Sequence, residues 1–103
     1  MQNEALSTLE ELARNQAAIC KIFGSTRRVM IVWALHNREM TVTEIAEAVG
    51  ASMQSASQHL RLMKDKGMLV SRKDGQSVLY RIAENDLMKN CLILEQSPFA
   101  IKE

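Results

Sequence analysis

Apolar residues in the first third of the chain recur every three or four positions, which is the spacing of one helix face. Residues 4–23 carry such a stripe, formed by Leu6, Leu9, Ala13, Ala17 and Cys20. Gly24 ends this pattern, and Ser25 is a good N-cap for a second helix over residues 26–37, which is apolar around much of its circumference. We therefore predict a long amphipathic first helix and a buried second helix.

Two shorter helices separated by a tight turn are predicted next. The first starts at the capping-box pair Thr41 and Glu44 and ends at Gly50, and its inner face consists of Ile45, Ala46 and Val49. The second starts after Ser52, and its predicted buried stripe consists of Met53, Ala56, Leu60 and Met63. Two helices joined in this way predict a helix-turn-helix over residues 43–66.

The hydrophobic period changes from 3.6 to 2 after Gly67. Residues 68–82 form two β-type runs around Asp74-Gly75, a pair that favours a hairpin with a type I′ turn. A final helix is predicted over residues 84–96, and the residues after Pro98 are expected to be frayed. The predicted order is α-α-α-α-β-β-α, which makes residues 1–103 one mainly helical domain with a small β-hairpin, a winged helix-turn-helix.

The charge distribution adds a candidate partner. The formal net charge is +1, but residues 52–82 carry +4, whereas residues 1–24 and 83–103 carry −1 and −2. A basic middle between mildly acidic ends favours a nucleic-acid face. The aromatic content of 4% argues against modules that stack single-stranded bases on exposed rings. With neither a long apolar run nor a secretory signal, we expect a cytoplasmic protein.

The helix-turn-helix and the hairpin carry side chains suited to DNA. Gln and Ser can read base edges in the major groove, and Arg and Lys can read guanine or hold phosphates. The candidate contacts on the fourth helix are Ser52, Gln54, Ser55, Ser57, Gln58, Arg61 and Lys64. Those on the hairpin, which would reach the backbone or the minor groove, are Arg72, Lys73 and Gln76. The combination predicts sequence-specific binding to double-stranded DNA.

Four segments of the chain together resemble the ArsR/SmtB family of winged-helix repressors: Thr43–Gly50, Ser55–Met63, Lys66–Val70 and Asp74–Ile82. The resemblance covers about residues 5–95, and its most specific pieces are Ser57-Gln58-His59-Leu60 and the run from Gly75 to Ile82. It implies a homodimer built from the first and last helices, an inverted-repeat operator, and repression relieved by a metal ion or a chemical signal. The apolar stripes of residues 4–23 and 84–96, outside the helix-turn-helix, independently favour the dimer.

The metal ligands of the family do not carry over to this chain. Arsenic-type members resemble one another in a Cys-Val-Cys pair at the start of the third helix, where this chain has Thr41 and Thr43, and hydroxyls are poor ligands for soft metals. Zinc-type members place Asp and His ligands across the last helix, which here contains no His. We expect His36 and His59 to be packing or hydrogen-bonding residues, and we expect no metal site and no cofactor.

Cys20 and Cys91, in the first and last predicted helices, are the remaining candidates for a signal site. If these helices pair across a dimer, the two thiols could approach each other. Three hypotheses stay open at this point: both residues are small apolar packing groups, they form a thiol or disulfide switch, or they bind a soft metal.

The sequence therefore favours a DNA-binding transcriptional repressor. The alternative is a winged-helix module that mediates dimerisation or partner docking without binding an operator. An enzyme is not expected, because the chain shows no Ser-His-Asp order, phosphate-binding glycine loop, metal-ligand cluster or carboxylate pair in a readable cleft.

Overall fold

The computed structural model describes residues 2–89, 91–96 and 98. Its elements in chain order are α1 (Gln2–Ile22), α2 (Thr26–Ala34), β1 (Met40–Thr41), α3 (Val42–Val49), α4 (Met53–Asp65), β2 (Leu69–Asp74), β3 (Ser77–Ile82), α5 (Asp86–Lys89) and α6 (Leu92–Glu95). The three strands form one antiparallel sheet in the order β1-β3-β2. The predicted mainly helical architecture with a hairpin wing is confirmed.

The core lies where α2, α3, α4 and the sheet meet. Ile31 of α2 and Leu35 at its C-cap are fully buried, and so are Ile45 of α3 and Leu60 of α4. Met68 and Leu69 bring the start of β2 into the same cluster. The second helix is therefore the central one, as its all-round apolar pattern predicts. It ends at Ala34 rather than at residue 37, because Leu35 forms the C-cap and Asn37 adopts a left-handed φ of 61°, which a short polar side chain tolerates.

Most of α1 lies outside this core. Every side chain from Glu4 to Ala18 is exposed, and burial starts only with Ile19 and Ile22 near the C-terminal end of the helix. The radius of gyration of 15.3 Å exceeds the value of about 13 Å that is usual for a chain of this length. The apolar row with Leu6, Leu9 and Leu12 therefore has no partner within the described part of the chain.

The hairpin turn differs by one residue from the sequence expectation. Asp74 pairs with Ser77, so the two central residues are Gly75 and Gln76 rather than Asp74 and Gly75. Gly75 has a φ of 63°, and Asn37 is the one non-glycine residue with a positive φ in the described chain. Positive φ at the first central residue alone is the pattern of a type II′ turn, not of the expected type I′ turn. By this shift β2 extends through Asp74, whereas Gln76, which was expected at the start of the second strand, lies in the turn.

The last predicted helix, over residues 84–96, is interrupted. It forms two short helices, α5 and α6, and residue 90 between them lies outside the described residues. Asn85 caps α5, since its side chain accepts from Met88 N at 3.0 Å and donates to the carbonyl of Gly67 at 2.9 Å. The expected position of Leu94 on an apolar face, and the expected fraying from residue 99 onward, concern groups outside the described part of the structure.

Met53 is exposed, and its expected place in the buried stripe of the fourth helix is wrong. Its side chain is 49% exposed, whereas Ala56, Leu60 and Met63 are fully buried as predicted. Met53 is the first residue of α4, and helical side chains lean toward the N-terminus. The side chain therefore projects beyond the end of the packed helix.

Candidate nucleic-acid interface

The second helix of the helix-turn-helix, α4, is the candidate recognition helix, and its caps and the preceding turn hold it against α3. Gly50 adopts a left-handed φ of 67°, and Ala51 N donates to the carbonyl of Ala46 at 2.9 Å. Ser52 then caps α4 by accepting from Ser55 N at 3.0 Å. Together with the buried side chains of α4, these bonds turn the opposite face of the helix toward solvent.

One polar row faces outward along α4. Gln54, Gln58 and Arg61 are exposed and Ser57 is half-buried, at the spacings of three and four residues that define one helix face. Ser55 lies on the adjoining flank, so not all the predicted contacts share one face. Ser52 is exposed at the tip of the helix, where its hydroxyl already serves as the cap. This row offers amide, hydroxyl and guanidinium groups, which are the groups that read major-groove edges.

The wing lies along one flank of this row. Lys64 of α4 donates to the hydroxyl of Ser71 on β2 at 2.8 Å, which ties the helix to the wing while leaving the ammonium exposed. Lys73 near the hairpin turn and Gln76 within it are exposed. Arg72 is exposed as well, but its guanidinium makes two bonds of 2.7 Å to the carboxylate of Glu39. Glu39 thus balances one of the charges that the sequence assigns to the wing.

The opposite flank of α4 carries basic residues that the sequence analysis missed. Arg28, in the first turn of α2, donates from Nε to Nδ1 of His59 at 3.2 Å and from Nη1 to the carbonyl of Ile22 at 3.2 Å. One guanidinium therefore joins the recognition helix to the end of α1. Arg27 beside it is exposed. The adjacent arginines Arg27 and Arg28 could have indicated a basic surface here. The net charge of residues 25–51 conceals them, because glutamates elsewhere in this segment balance the positive charge.

The structure lowers the pKa values of two side chains at this candidate interface, His59 and Glu39. Burial, together with the nearby cations Arg28 and Arg27, lowers the pKa of His59. Its imidazole is therefore neutral at neutral pH, and Nδ1 accepts the bond from Arg28 while Nε2 carries the proton. The hydrogen bonds from Arg72 lower the pKa of Glu39, which keeps this carboxylate charged. The ion pair and the Arg28–His59 bond thus both persist around neutral pH.

Cys20 and Cys91 lie at a shared groove away from the recognition helix. The groove has a volume of about 370 Å³, and both cysteines line it together with Gln16, Ile19, Phe23, Leu87 and Ile93. Cys20 is exposed and its sulfur accepts from Gln16 Nε2 at 3.6 Å, whereas Cys91 is half-buried. The tertiary structure therefore brings together two residues that are 71 positions apart in the sequence.

No group of three or more His, Cys, Asp or Glu side chains with metal-binding geometry occurs among the described residues. Nδ1 of His36 is buried without a hydrogen-bond partner in the described chain. None of the described helices has the length and apolar character needed to cross a membrane.

The helix-turn-helix, its flanking helices and the hairpin define a winged helix-turn-helix protein. Residues 24–72 match the family described as a helix-turn-helix domain. The HTH-type transcriptional regulator YgaV of Escherichia coli K12 is 33% identical over 78 residues, which cover 75% of this chain and 79% of YgaV. The chain belongs to the ArsR/SmtB family of winged-helix transcriptional regulators.

Two further comparisons agree with this family assignment. KmtR of Mycobacterium tuberculosis, also an HTH-type transcriptional regulator, is 35% identical over 75 residues, which cover 73% of this chain. The match spans only 57% of the length of KmtR. Among solved structures, a homodimeric winged helix-turn-helix DNA-binding domain from Mycobacterium bovis superposes with a TM-score of 0.66 at 32% identity, covering 76% of this chain and 72% of that chain.

Proposed function

We propose that this protein is a sequence-specific DNA-binding transcriptional repressor that acts as a homodimer. In this proposal α4 enters the major groove, and the polar row with Gln54, Ser57, Gln58 and Arg61 reads base edges. Ser52 and Ser55 contact the groove wall near the tip of the helix. The DNA backbone is held by Lys64, Lys73 and Gln76. Arg72 also binds a phosphate once its guanidinium releases the carboxylate of Glu39.

The observation that carries the proposal is the two-sided character of α4. Ala56, Leu60 and Met63 are fully buried, so the helix has a fixed orientation. The opposite face is polar, and in the described chain Arg61, Lys64 and Lys73 have no carboxylate partner within ion-pair distance. A fixed polar helix face flanked by free cations fits the major groove and the phosphates beside it.

The dimer is proposed from the row of exposed leucines on α1. Leu6, Leu9 and Leu12 are 53–63% exposed on a helix whose side chains are all exposed from Glu4 to Ala18. Pairing with a second copy would remove this apolar surface from water. Two-fold symmetry would place the two recognition helices one DNA turn, about 34 Å, apart.

Binding to the DNA immediately upstream of its own gene tests the proposal. Fluorescence anisotropy at several salt concentrations should give a linear decrease of log affinity with log salt. Gln58→Ala should change the preferred sequence, whereas Lys73→Ala should weaken binding to all sequences and lower the salt slope by about 1. Thr43→Ala, an exposed change on α3, is the matched control and should leave both properties unchanged.

The alternative function, a dimerisation or partner-docking module, predicts a different outcome. Such a protein would show the same weak affinity for its upstream region and for shuffled DNA, and Gln58→Ala would not change any sequence preference. That result would overturn the repressor proposal. Salt-dependent binding that discriminates between the two duplexes would exclude the docking module.

We further propose that a thiol-directed signal acts through Cys20 and Cys91, because both residues line one groove. A peroxide would oxidise one thiolate to a sulfenic acid and would itself be reduced to water. The second thiol would then attack the sulfenic sulfur, forming the disulfide and releasing another water. The new bond would draw the end of α1 toward the start of α6, which changes the proposed dimer contact.

DNA binding under reduced, peroxide-treated and metal-loaded conditions tests this signal. A disulfide switch predicts weaker binding after peroxide, an intact mass lower by two hydrogens, and no response in Cys20→Ser or Cys91→Ser. A response only to a soft metal such as Cd²⁺ would replace the disulfide with metal binding at the same residues. An unchanged affinity in all three conditions would assign both cysteines to packing.

A further inference from the structure

The structure exposes four large apolar side chains among the described residues, and they fall on two surfaces. Leu6, Leu9 and Leu12 belong to the row on α1 that the proposed dimer covers. The fourth, Met53, is 49% exposed in the first turn of α4 and lies far from that row in the chain. A single exposed apolar residue is ordinary on a protein surface, and what distinguishes Met53 is its position on α4.

Met53 lies at the leading edge of the proposed DNA-reading surface. It immediately precedes Gln54, and it is one helical turn from Ser57, so its neighbours on this side of α4 are two of the proposed base-reading residues. Because Ser52 caps the start of the helix and helical side chains lean toward the N-terminus, the thioether of Met53 extends beyond the first turn. When a recognition helix enters the major groove, this end approaches the bases.

We propose that Met53 is a specificity-determining residue that packs against the 5-methyl group of a thymine in the major groove. Thymine is the one base that presents a methyl group there, and apolar side chains recognise it by contact. The flexible, polarisable thioether of Met adapts its shape to such a group. The contact removes apolar surface of both partners from water, and the amide of Gln54 remains available for hydrogen bonds to an adjacent base.

This inference rests on the proposed DNA binding, and the experiment separates the two. Duplexes that the wild-type protein selects from a random library serve as the probe. Each thymine of a half-site is replaced in turn by deoxyuridine, which removes only the methyl group. The affinities of the wild type, Met53→Ala, Met53→Gln and Met53→Leu are then measured by fluorescence anisotropy at one salt concentration.

The wild type should lose about fourfold in affinity at one thymine of the half-site when its methyl group is removed, the factor expected for one buried methyl. Met53→Ala should bind the thymine duplex about fourfold more weakly and should show no further loss at that uridine. Met53→Gln, which keeps the side-chain length, should also be insensitive, whereas Met53→Leu should retain the loss.

Gln54→Ala is the matched control, because it shortens the neighbouring side chain without touching the thioether. It should weaken binding and keep the full uridine effect. The proposal is overturned if Met53→Ala binds normally, or if it still shows the wild-type uridine effect at every position. Failure of the wild type to select any sequence would instead overturn the proposed DNA binding. Unchanged melting temperatures would show that the exposed substitutions leave the fold intact.

Discussion

Arg72 and Glu39 are joined by two hydrogen bonds of 2.7 Å, in which Nε and Nη2 of the guanidinium donate to the two carboxylate oxygens. The pair ties β2 of the wing to the residue that precedes β1. Two parallel charged bonds fix the direction of the guanidinium as well as its position. The Arg72 side chain is 55% exposed, so water screens the attraction and the pair contributes little to stability. Its main consequence is that Arg72 must exchange one anion for another when it binds phosphate.

Removing the Glu39 charge should therefore strengthen DNA binding. In Glu39→Gln, the cation of Arg72 no longer has a competing carboxylate, and a phosphate can take its place. We expect a higher affinity and a salt slope that is steeper by about 1 in the logarithmic plot. Titration of a labelled operator duplex at four salt concentrations measures both quantities.

The double variant provides the control for this prediction. Once Arg72→Ala is present, Glu39→Gln should have a much smaller effect, because the cation that it frees is absent. Equal effects of Glu39→Gln in both backgrounds would show that the carboxylate repels DNA directly and does not act through Arg72.

The stability of the protein should decrease as the pH falls below about 6.5, and His59 should cause part of this decrease. Its pKa is lowered from 6.5 by burial and by Arg28 and Arg27, so the unfolded chain takes up the proton more readily than the folded one. The contribution is therefore fully present above the unfolded pKa, and it is lost as the pH falls toward the folded pKa. Melting temperatures between pH 5 and pH 8 measure it.

His59→Gln is the control variant for this pH dependence. The glutamine carbonyl can accept from Arg28 but does not titrate, so the part of the slope that belongs to His59 should disappear. An NMR titration of the imidazole should also give a pKa below 6.5 in the wild type. An identical pH dependence of wild type and His59→Gln would contradict the assignment.

The apolar row of α1 should determine the oligomeric state. Leu9 is 63% exposed in the single chain, and Leu9→Glu would place a charge in the middle of the proposed dimer contact. We expect a dimer for the wild type and a monomer for the variant in sedimentation experiments. Operator affinity should fall at least tenfold with the loss of the second recognition helix, because the two half-sites no longer bind together.

Ala18→Glu is the matched control for this substitution. Ala18 is also exposed on α1, but it lies nine residues from Leu9, which places it on the opposite side of the helix. The control should remain dimeric with unchanged DNA binding. A dimeric Leu9→Glu protein would show that α1 is not the contact.

The turn between α3 and α4 should tolerate little besides glycine. Gly50 has a φ of 67° with open space around the position of a Cβ atom, so Gly50→Ala meets no steric clash but strains the backbone. We expect a loss of about 1 kcal/mol in the free energy of unfolding. Gly50→Asn should lose less, because Asn adopts this conformation more readily. Urea denaturation measures the two differences, and an unchanged Gly50→Ala would contradict the strain.

Local patterns determined most of the elements of this protein. The Thr41–Glu44 capping box, the cap at Ser52 and the left-handed Gly50 all follow from side chains that bond or bend the backbone within a few residues. The buried faces of α3 and α4 follow from their apolar spacing. Strand β1 could not be predicted in this way, because two residues are too few to show a period, and their pairing with β3 depends on the hairpin already being in place.

The tertiary structure decided which of the candidate groups act together. Arg72 meets Glu39 across 33 positions of sequence, Arg28 meets His59 across 31, and Cys20 and Cys91 reach the same groove. Such pairs depend on how elements that are distant in the sequence pack together, and a local sequence pattern does not show this packing. The exposure of Met53 has the same origin: the spacing of α4 assigns it to the buried stripe, but the buried side chains of this helix begin only at Ala56.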